Sequence, residues 1–300
     1  MVEVLRTPDE RFSDLAGWNF EPSYLEWEGL RLHYVDQGPT DGPVVLLLHG
    51  EPTWSYLYRG WFRRLVAAGF RCVAPDFIGF GRSDKVLDES WYVIERHVES
   101  LRHLIITLGL QNISLVCQDW GGPIGLRQAV DMPDRFARLF IMNTWLHHDG
   151  FAYSDGMRTW HSMSQNPDFA RDLPTGRIVA GTLARKGHDI EAVNAAYDAP
   201  FPTPESKAGA RRFPWCLPFA QPEAGGARWQ QLAHDRLLRW DGPIHLVWGD
   251  ADPVFTWEWA EAWASRLPGA TLDRVAGASH FVQEDATDEV VDLVLSRLGS

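Results

Sequence analysis

Three hundred residues, 45% hydrophobic and 23% charged, describe a globular chain with an ample core, either one large domain or a domain carrying an insertion. Twenty-eight basic against forty acidic side chains leave a formal charge of -12. That balance argues against nucleic acid and against anionic membrane surfaces, both of which recruit Lys and Arg. Three widely spaced cysteines, Cys72, Cys117 and Cys216, suit neither a disulfide framework nor a metal cluster. With no apolar run of the roughly 20 residues needed for a bilayer span and no apolar signal-peptide core in Met1–Phe12, the expected location is the cytoplasm.

In chain order, Leu30–Val35 alternates like a half-exposed strand, and Val44–Leu48 is a continuous apolar run, as in a parallel strand buried on both faces. The periodicity predicts a helix over Trp54–Ala68, a strand at Arg71–Pro75, a long helix over Tyr92–Leu108 and a second buried strand at Ile113–Cys117. A helix opens at Gly121-Gly122 and runs to about Val130, followed by a strand at Phe136–Met142. The rhythm then breaks. From about Leu146 to Gly226 no long buried strand is visible, and Ala199-Pro200-Phe201-Pro202-Thr203-Pro204 suits neither a helix interior nor a central strand. Strand logic resumes at Pro243–Trp248, with a helix over Trp257–Leu267, a strand at Thr271–Val275 and a last helix over Asp285–Leu298. The expectation is a mostly parallel, doubly wound α/β sheet whose core takes residues 1–145 and 227–300. A mainly helical cap, 146–226, is inserted after the sixth strand.

Chemistry concentrates where strands end. The run Ile113–Gln118 leads into Asp119-Trp120-Gly121-Gly122, with small residues two before (Cys117) and two after (Gly121) the aspartate. A strained strand-to-helix elbow that exposes a nucleophile needs that spacing, because bulk there clashes across the turn. An Asp at such a turn also has an ordinary reading as a helix cap. Two later strand ends add an acid, Asp250 or Asp252, and a base, His280, in the order nucleophile, acid, histidine. Of the two acids, Asp252 lies in the loop and is better placed to reach back, whereas Asp250 suits a turn-fixing residue. Fifteen tryptophans are unusual. Most are packing aromatics, yet each indole N–H is a donor without an acceptor, and two converging in a dry pocket would hold an anion.

His49-Gly50-Glu51-Pro52-Thr53-Trp54-Ser55-Tyr56, the elbow Gln118–Gly122 and the segment Gly277–Glu284 together resemble the haloalkane dehalogenases. The cap segments Asp155–Trp160 and Tyr197–Pro202 resemble the subfamily that keeps a second halide-holding Trp in its cap. The resemblance covers nearly the whole chain. It implies the α/β-hydrolase fold, and hydrolysis of a haloalkane by water to an alcohol, a halide and a proton through an alkyl ester on Asp119. It implies no metal and no organic cofactor. It also implies Asp252 as the acid, Trp120 and Trp160 as halide-binding residues, and the backbone N–H groups of Glu51 and Trp120 as the oxyanion hole. The Glu51 side chain has two readings, positioning water or fixing its loop. Phe213, Pro214, Val254 and Phe255 are expected to line the substrate pocket, each with an ordinary core reading beside it. Pro123, four residues after the nucleophile, stands where relatives carry a bulky aromatic, which leaves pocket width open. The nearest rival, an epoxide hydrolase, shares the elbow but needs two cap tyrosines to protonate the epoxide; the insertion offers Tyr153 and Tyr197. A receptor built on the same fold would have little use for the complete Asp119–Asp252–His280 set. The acidic charge is compatible with a monomer, the expected state, and with a dimer.

Overall fold

The computed structural model describes residues 2–267 and 269–299; Met1 and Ser300, which fall within the expected core segments, and Pro268 lie outside the described residues. Eight strands form one sheet: β1 Ser23–Trp27, β2 Leu30–Gln37, β3 Val44–Leu48, β4 Arg71–Pro75, β5 Ile113–Gln118, β6 Phe136–Met142, β7 Ile244–Gly249 and β8 Thr271–Val275. Their order is β8-β7-β6-β5-β3-β4-β2-β1. Only β2 runs against its neighbours; every other pairing is parallel. All five residues of β3 are buried between β4 and β5, which is why its sequence shows no alternation. A separate two-residue ladder pairs Val4–Leu5 with Lys85–Val86.

Helices cover both faces. In α2 (Ile94–Thr107) the buried residues Ile94, His97, Val98, Leu101, Leu104 and Ile105 recur at helical spacing and form the stripe laid on the sheet. Two helices differ from their sequence-based extents. The expected helix over Trp54–Ala68 is a 3-10 turn at Ser55–Tyr58 followed by α1, Arg59–Ala67. Trp54 is extended because the Ser55 N–H is tied to Asp76 Oδ1 at 2.8 Å, anchoring the segment to the exit of β4. The expected helix over Asp285–Leu298 is a short turn at Val282–Asp285 and then α11, Thr287–Leu298, with a break at Ala286 (φ -139°). Asp285 turns its carboxylate inward onto the Ser279 N–H at 2.7 Å, so the chain cannot run straight.

Between β6 and β7, after the sixth strand of the sheet, the chain is helix and loop. It carries α4 (Asp155–Ser164), α5 (Pro167–Arg171), α6 (Thr175–Thr182), α7 (Ile190–Asp198) and α8 (Ala208–Trp215). The Pro-rich segment begins where α7 ends, at Asp198, and leads into a 3-10 turn at Pro204–Lys207. Buried polar contacts fasten this insertion to the sheet end. The Tyr197 hydroxyl donates to Glu284 at 2.7 Å, and both Glu284 oxygens accept from Arg59 at 2.6 Å. Trp54 Nε1 donates to Ala196 O at 3.1 Å, and Ser154 Oγ donates to Val254 O at 2.6 Å. The helices α3 (Gly121–Asp131), α9 (Ala227–Leu237) and α10 (Trp257–Ala264) complete the layers.

Candidate active site

Asp119 sits between the end of β5 and the first turn of α3 with φ at +49°, a left-handed conformation that a non-glycine residue holds only under constraint. The constraints are visible. Its backbone N–H donates to Asn143 O at 3.0 Å, while its carbonyl accepts from Gly122 N at 2.9 Å and Thr144 Oγ1 at 2.5 Å. The turn is so close to β3 that a β-carbon on Gly121 would stand 2.7 Å from Leu48 O and 2.8 Å from His49 O. A β-carbon on Gly50 would run into the Asp119 carboxylate itself. Small residues are therefore a steric requirement of the elbow.

The carboxylate is asymmetric. Oδ1 accepts the Glu51 N–H at 2.8 Å, and the Trp120 N–H also bonds the carboxylate. Oδ2 faces His280 Nε2 at 3.7 Å. Burial raises the Asp119 pKa above the ordinary carboxylate value, opposed by His280 and the two backbone donors. The loop that supplies the Glu51 N–H is stiffened by His49, whose Nδ1 bonds Gly50 O at 2.8 Å and whose Nε2 accepts from Phe77 N at 3.0 Å. Burial pushes His49 down to about 4, so this ring stays neutral.

His280 follows β8 and is buried. Its Nδ1 lies 3.0 Å from Asp252 Oδ2. The proton is assigned to Nδ1 from that partner, which leaves Nε2 unprotonated on the side that faces Asp119 and the Gln118 amide. Burial alone would lower the His280 pKa, but the Asp252 charge and hydrogen bond, with the Asp119 charge added, hold it above the ordinary value. Asp252 is itself fixed by Asn143 Nδ2 on Oδ2 at 2.9 Å and the Val254 N–H on Oδ1 at 2.7 Å. Asp250 is engaged elsewhere, accepting from Arg274 Nε and the Gly277 N–H, both at 2.6 Å.

A cavity of about 110 Å³ opens over the carboxylate. Glu51, Asp119, Trp160, Val254 and His280 line it, together with Pro52, Ile178, Thr182, Pro253 and Phe281. Phe213, Pro214 and Phe255, expected in the pocket wall, are not part of this lining. The Phe213 ring is spent edge-on against Trp120 at 5.3 Å and Phe80 at 5.0 Å, with Pro214 buried beside it in α8. Phe255 packs on the His280 ring at 5.3 Å and stacks on Trp145. Trp120 is buried between Trp145, at 4.6 Å, and Phe213. The Trp160 indole hydrogen-bonds the Glu51 carboxyl, whose pKa burial and the Asp119 charge drive well above the usual range. Glu51 Oε1 is buried without a partner. Neither tyrosine of the insertion reaches the cavity: Tyr153 bonds His147 Nδ1 at 2.9 Å, and Tyr197 is held by Glu284.

The model for the alpha/beta hydrolase fold matches residues 43–287. A haloalkane dehalogenase of Psychrobacter cryohalolentis is 41% identical over 303 residues, covering 98% of this chain and 97% of its own. One from Mycobacterium marinum is 39% identical over 302 residues, covering 98% and 99%. The chain belongs to the haloalkane dehalogenases. Its fold agrees with the solved structure of a haloalkane dehalogenase from Paraglaciecola agarilytica, described as tetrameric, at a TM-score of 0.91 and 37% identity over 98% of each chain. Hydrolysis of carbon–halide bonds through an ester on the enzyme is the chemistry of this family, and the dehalogenase described here is such a hydrolase.

Two residues of the dehalogenase that sequence reasoning passed over stand beside His280 and Asp252. Gln118 Nε2 lies 3.2 Å from His280 Nε2 and 3.1 Å from His280 O. Asn143 bridges the Asp119 backbone to Asp252. A usable signal existed for Asn143: it is the first residue beyond the carboxyl end of β6, where open α/β sheets collect functional groups.

Proposed function

We propose that Asp119 is the nucleophile of this dehalogenase, His280 its base and Asp252 the group that orients the base. The observation carrying this reading is the asymmetry of the Asp119 carboxylate. One oxygen is held by the Glu51 N–H at 2.8 Å, and the other faces His280 at 3.7 Å inside a small cavity. Oδ2 donates an electron pair to the halogen-bearing carbon, the carbon–halogen bond breaks, and its electrons leave with the halide. A carboxylate is already ionised and needs no base for this step. The indole N–H groups of Trp120 and Trp160 take the halide, Trp160 exchanging Glu51 for it, each bond to the anion contributing on the order of 1.5–3 kcal/mol.

Water then attacks Cγ of the ester while His280 Nε2 takes its proton. The negative charge develops on Oδ1, against the Glu51 N–H that already holds this atom, and the Trp120 N–H, which bonds the same carboxylate, adds to it. The Cγ–Oδ2 bond then breaks, the departing alcohol takes the proton from His280, and the carboxyl left on Asp119, which now carries the water's oxygen, releases the water's second proton as the proton product. Glu51, with its unpartnered Oε1 at the cavity wall, is suited to hold the attacking water. An epoxide hydrolase reading loses its acids, since the hydroxyls of Tyr153 and Tyr197 are bonded outside the cavity.

At about 110 Å³ the cavity is smaller than the roughly 150 Å³ void that accommodates benzene, which favours short haloalkanes. Residues 146–226 act as the cap over a core of 1–145 and 227–300. No described helix is long and apolar enough to cross a membrane, and the reading keeps the enzyme in the cytoplasm as a monomer, its charge of -12 separating copies. The relative from Paraglaciecola agarilytica is a tetramer, and sedimentation velocity decides the state of this chain. The direct test of function is bromide release from 1,2-dibromoethane and 1-bromobutane by the protein and by Asp119→Ala. Release by the unaltered protein alone is expected; release by both would remove Asp119 from the chemistry.

A further inference from the structure

Asp285 takes no part in the reaction, yet its carboxylate is fully buried and receives four hydrogen bonds. Oδ2 accepts from the Ser279 N–H at 2.7 Å and the Ala184 N–H at 3.0 Å. Oδ1 accepts from the Arg185 N–H at 2.9 Å and His188 Nε2 at 3.0 Å. Four donors use up the acceptor capacity of a carboxylate, and they come from two places. Ser279 immediately precedes His280. Ala184, Arg185 and His188 form the link between α6 and α7 in the insertion, and α6 carries Ile178 and Thr182 of the cavity wall. The Arg185 guanidinium repeats the same connection on the outside, donating to Ala276 O at 2.8 Å and Glu289 at 2.7 Å. One inward-turned carboxylate thus joins the wall of the substrate cavity to the loop that carries the histidine.

We propose that Asp285 is a positioning residue for ester hydrolysis: it locks the α6–α7 link of the cap to the Ser279–His280 backbone, so that the imaginary line from imidazole to ester carbonyl is kept at the length of one water. The inference rests on His280 being the base. The two reaction halves should respond differently. Ester formation uses Asp119 and the indoles, which Asp285 does not touch, whereas hydrolysis needs the imidazole held to within a fraction of an ångström. Asn in place of Asp285 has the same shape but only one acceptor oxygen, so one of the two donor pairs loses its partner.

The experiment is rapid-quench intact-protein mass spectrometry with 1,2-dibromoethane, resolving ester formation from ester decay, on four variants. Asp285→Asn is expected to form the ester at nearly the normal rate and lose it roughly ten- to a hundredfold more slowly, so that the alkylated protein accumulates during turnover. His188→Leu removes one cap-side donor without touching the Ser279 bond, and should give a smaller accumulation that His188→Gln reverses by restoring a donor. The His188 pair decides the matter alone should Asp285→Asn fail to fold. Decay at the normal rate in the folded variants would overturn the proposal, as would an equal slowing of both halves, which marks general loosening. His280→Gln separates the underlying assumption: if it turns over repeatedly without a trapped ester, His280 is not the base and the reading beneath the proposal falls.

Discussion

At the scale of single residues, the charge state of His280, the proposed base, sets when ester hydrolysis can proceed. Burial opposes its protonation while Asp252 and Asp119 favour it, and the two carboxylates win, so its pKa lies above the ordinary value. A base must be neutral to accept a proton from water, so hydrolysis is lost as pH falls through the pKa that His280 has in the ester. Ester formation changes the balance, because an esterified Asp119 carries no charge and Asp252 alone then opposes burial. The His280 pKa therefore falls once the ester exists, and the enzyme prepares its own base. The expected outcome is a population of alkylated protein that grows as the pH is lowered from 9 to 6, read by rapid-quench mass spectrometry, with a weaker change in the first step. In His280→Gln the ester should persist, its decay slowed by roughly a hundredfold or more. An ester population indifferent to pH would mean that another group takes the proton.

Among the elements, the elbow joins the proposed nucleophile, Asp119, to the Glu51 N–H of the proposed oxyanion hole by contact between backbones. Gly121 lies against Leu48 O and His49 O, and the next two residues along that strand exit, Gly50 and Glu51, meet the Asp119 carboxylate. In Gly121→Ala the new methyl group has only main chain to push against, so α3 and the end of β3 must separate. A loss of stability on the order of 1–3 kcal/mol is expected, with turnover falling more steeply than stability because the Glu51 N–H moves away from Oδ1. Thermal unfolding and bromide release on the same preparation test this; a destabilised variant with unchanged turnover would break the link between the two. The glycine spacing that makes this argument was legible in the sequence, as were the strands, because their apolar runs are set by burial on both faces. The helix over Trp54–Ala68 was not, since Asp76, twenty-one residues away, pulls its first turn out of shape. Phe213 and Phe255 look like pocket residues for the same reason they are core residues: large apolar rings beside a loop. Only the third dimension shows that Trp120 and His280 occupy one face of each. Asn143 escaped notice because a neutral amide after a strand carries no charge signature of its own.

For the molecule as a whole, the N-terminal segment, the loop that follows β4 and the insertion meet over Lys85, which is completely buried. It pairs with Leu5 in the two-residue ladder, and its Nζ donates to Gly81 O at 2.8 Å and Ser83 O at 3.1 Å. The Phe201 ring of the insertion lies 5.9 Å above the nitrogen. Burial lowers the Lys85 pKa to about 7 despite Asp76 and Asp84 nearby. An unfolded chain returns the same amine to about 10.4. Between those two values the unfolded state holds a proton that the native state has shed, so this residue makes stability rise with pH across that window. The slope is at most roughly 1.4 kcal/mol per pH unit. Lys85→Met removes the group that titrates and keeps an apolar chain of similar length. Denaturant unfolding of both proteins at pH 7, 8 and 9 should show the unaltered protein gaining on the variant as the pH rises. A difference constant with pH would mean that the ammonium stays charged inside, carried by its two carbonyls, and that burial at this junction has been offset without deprotonation.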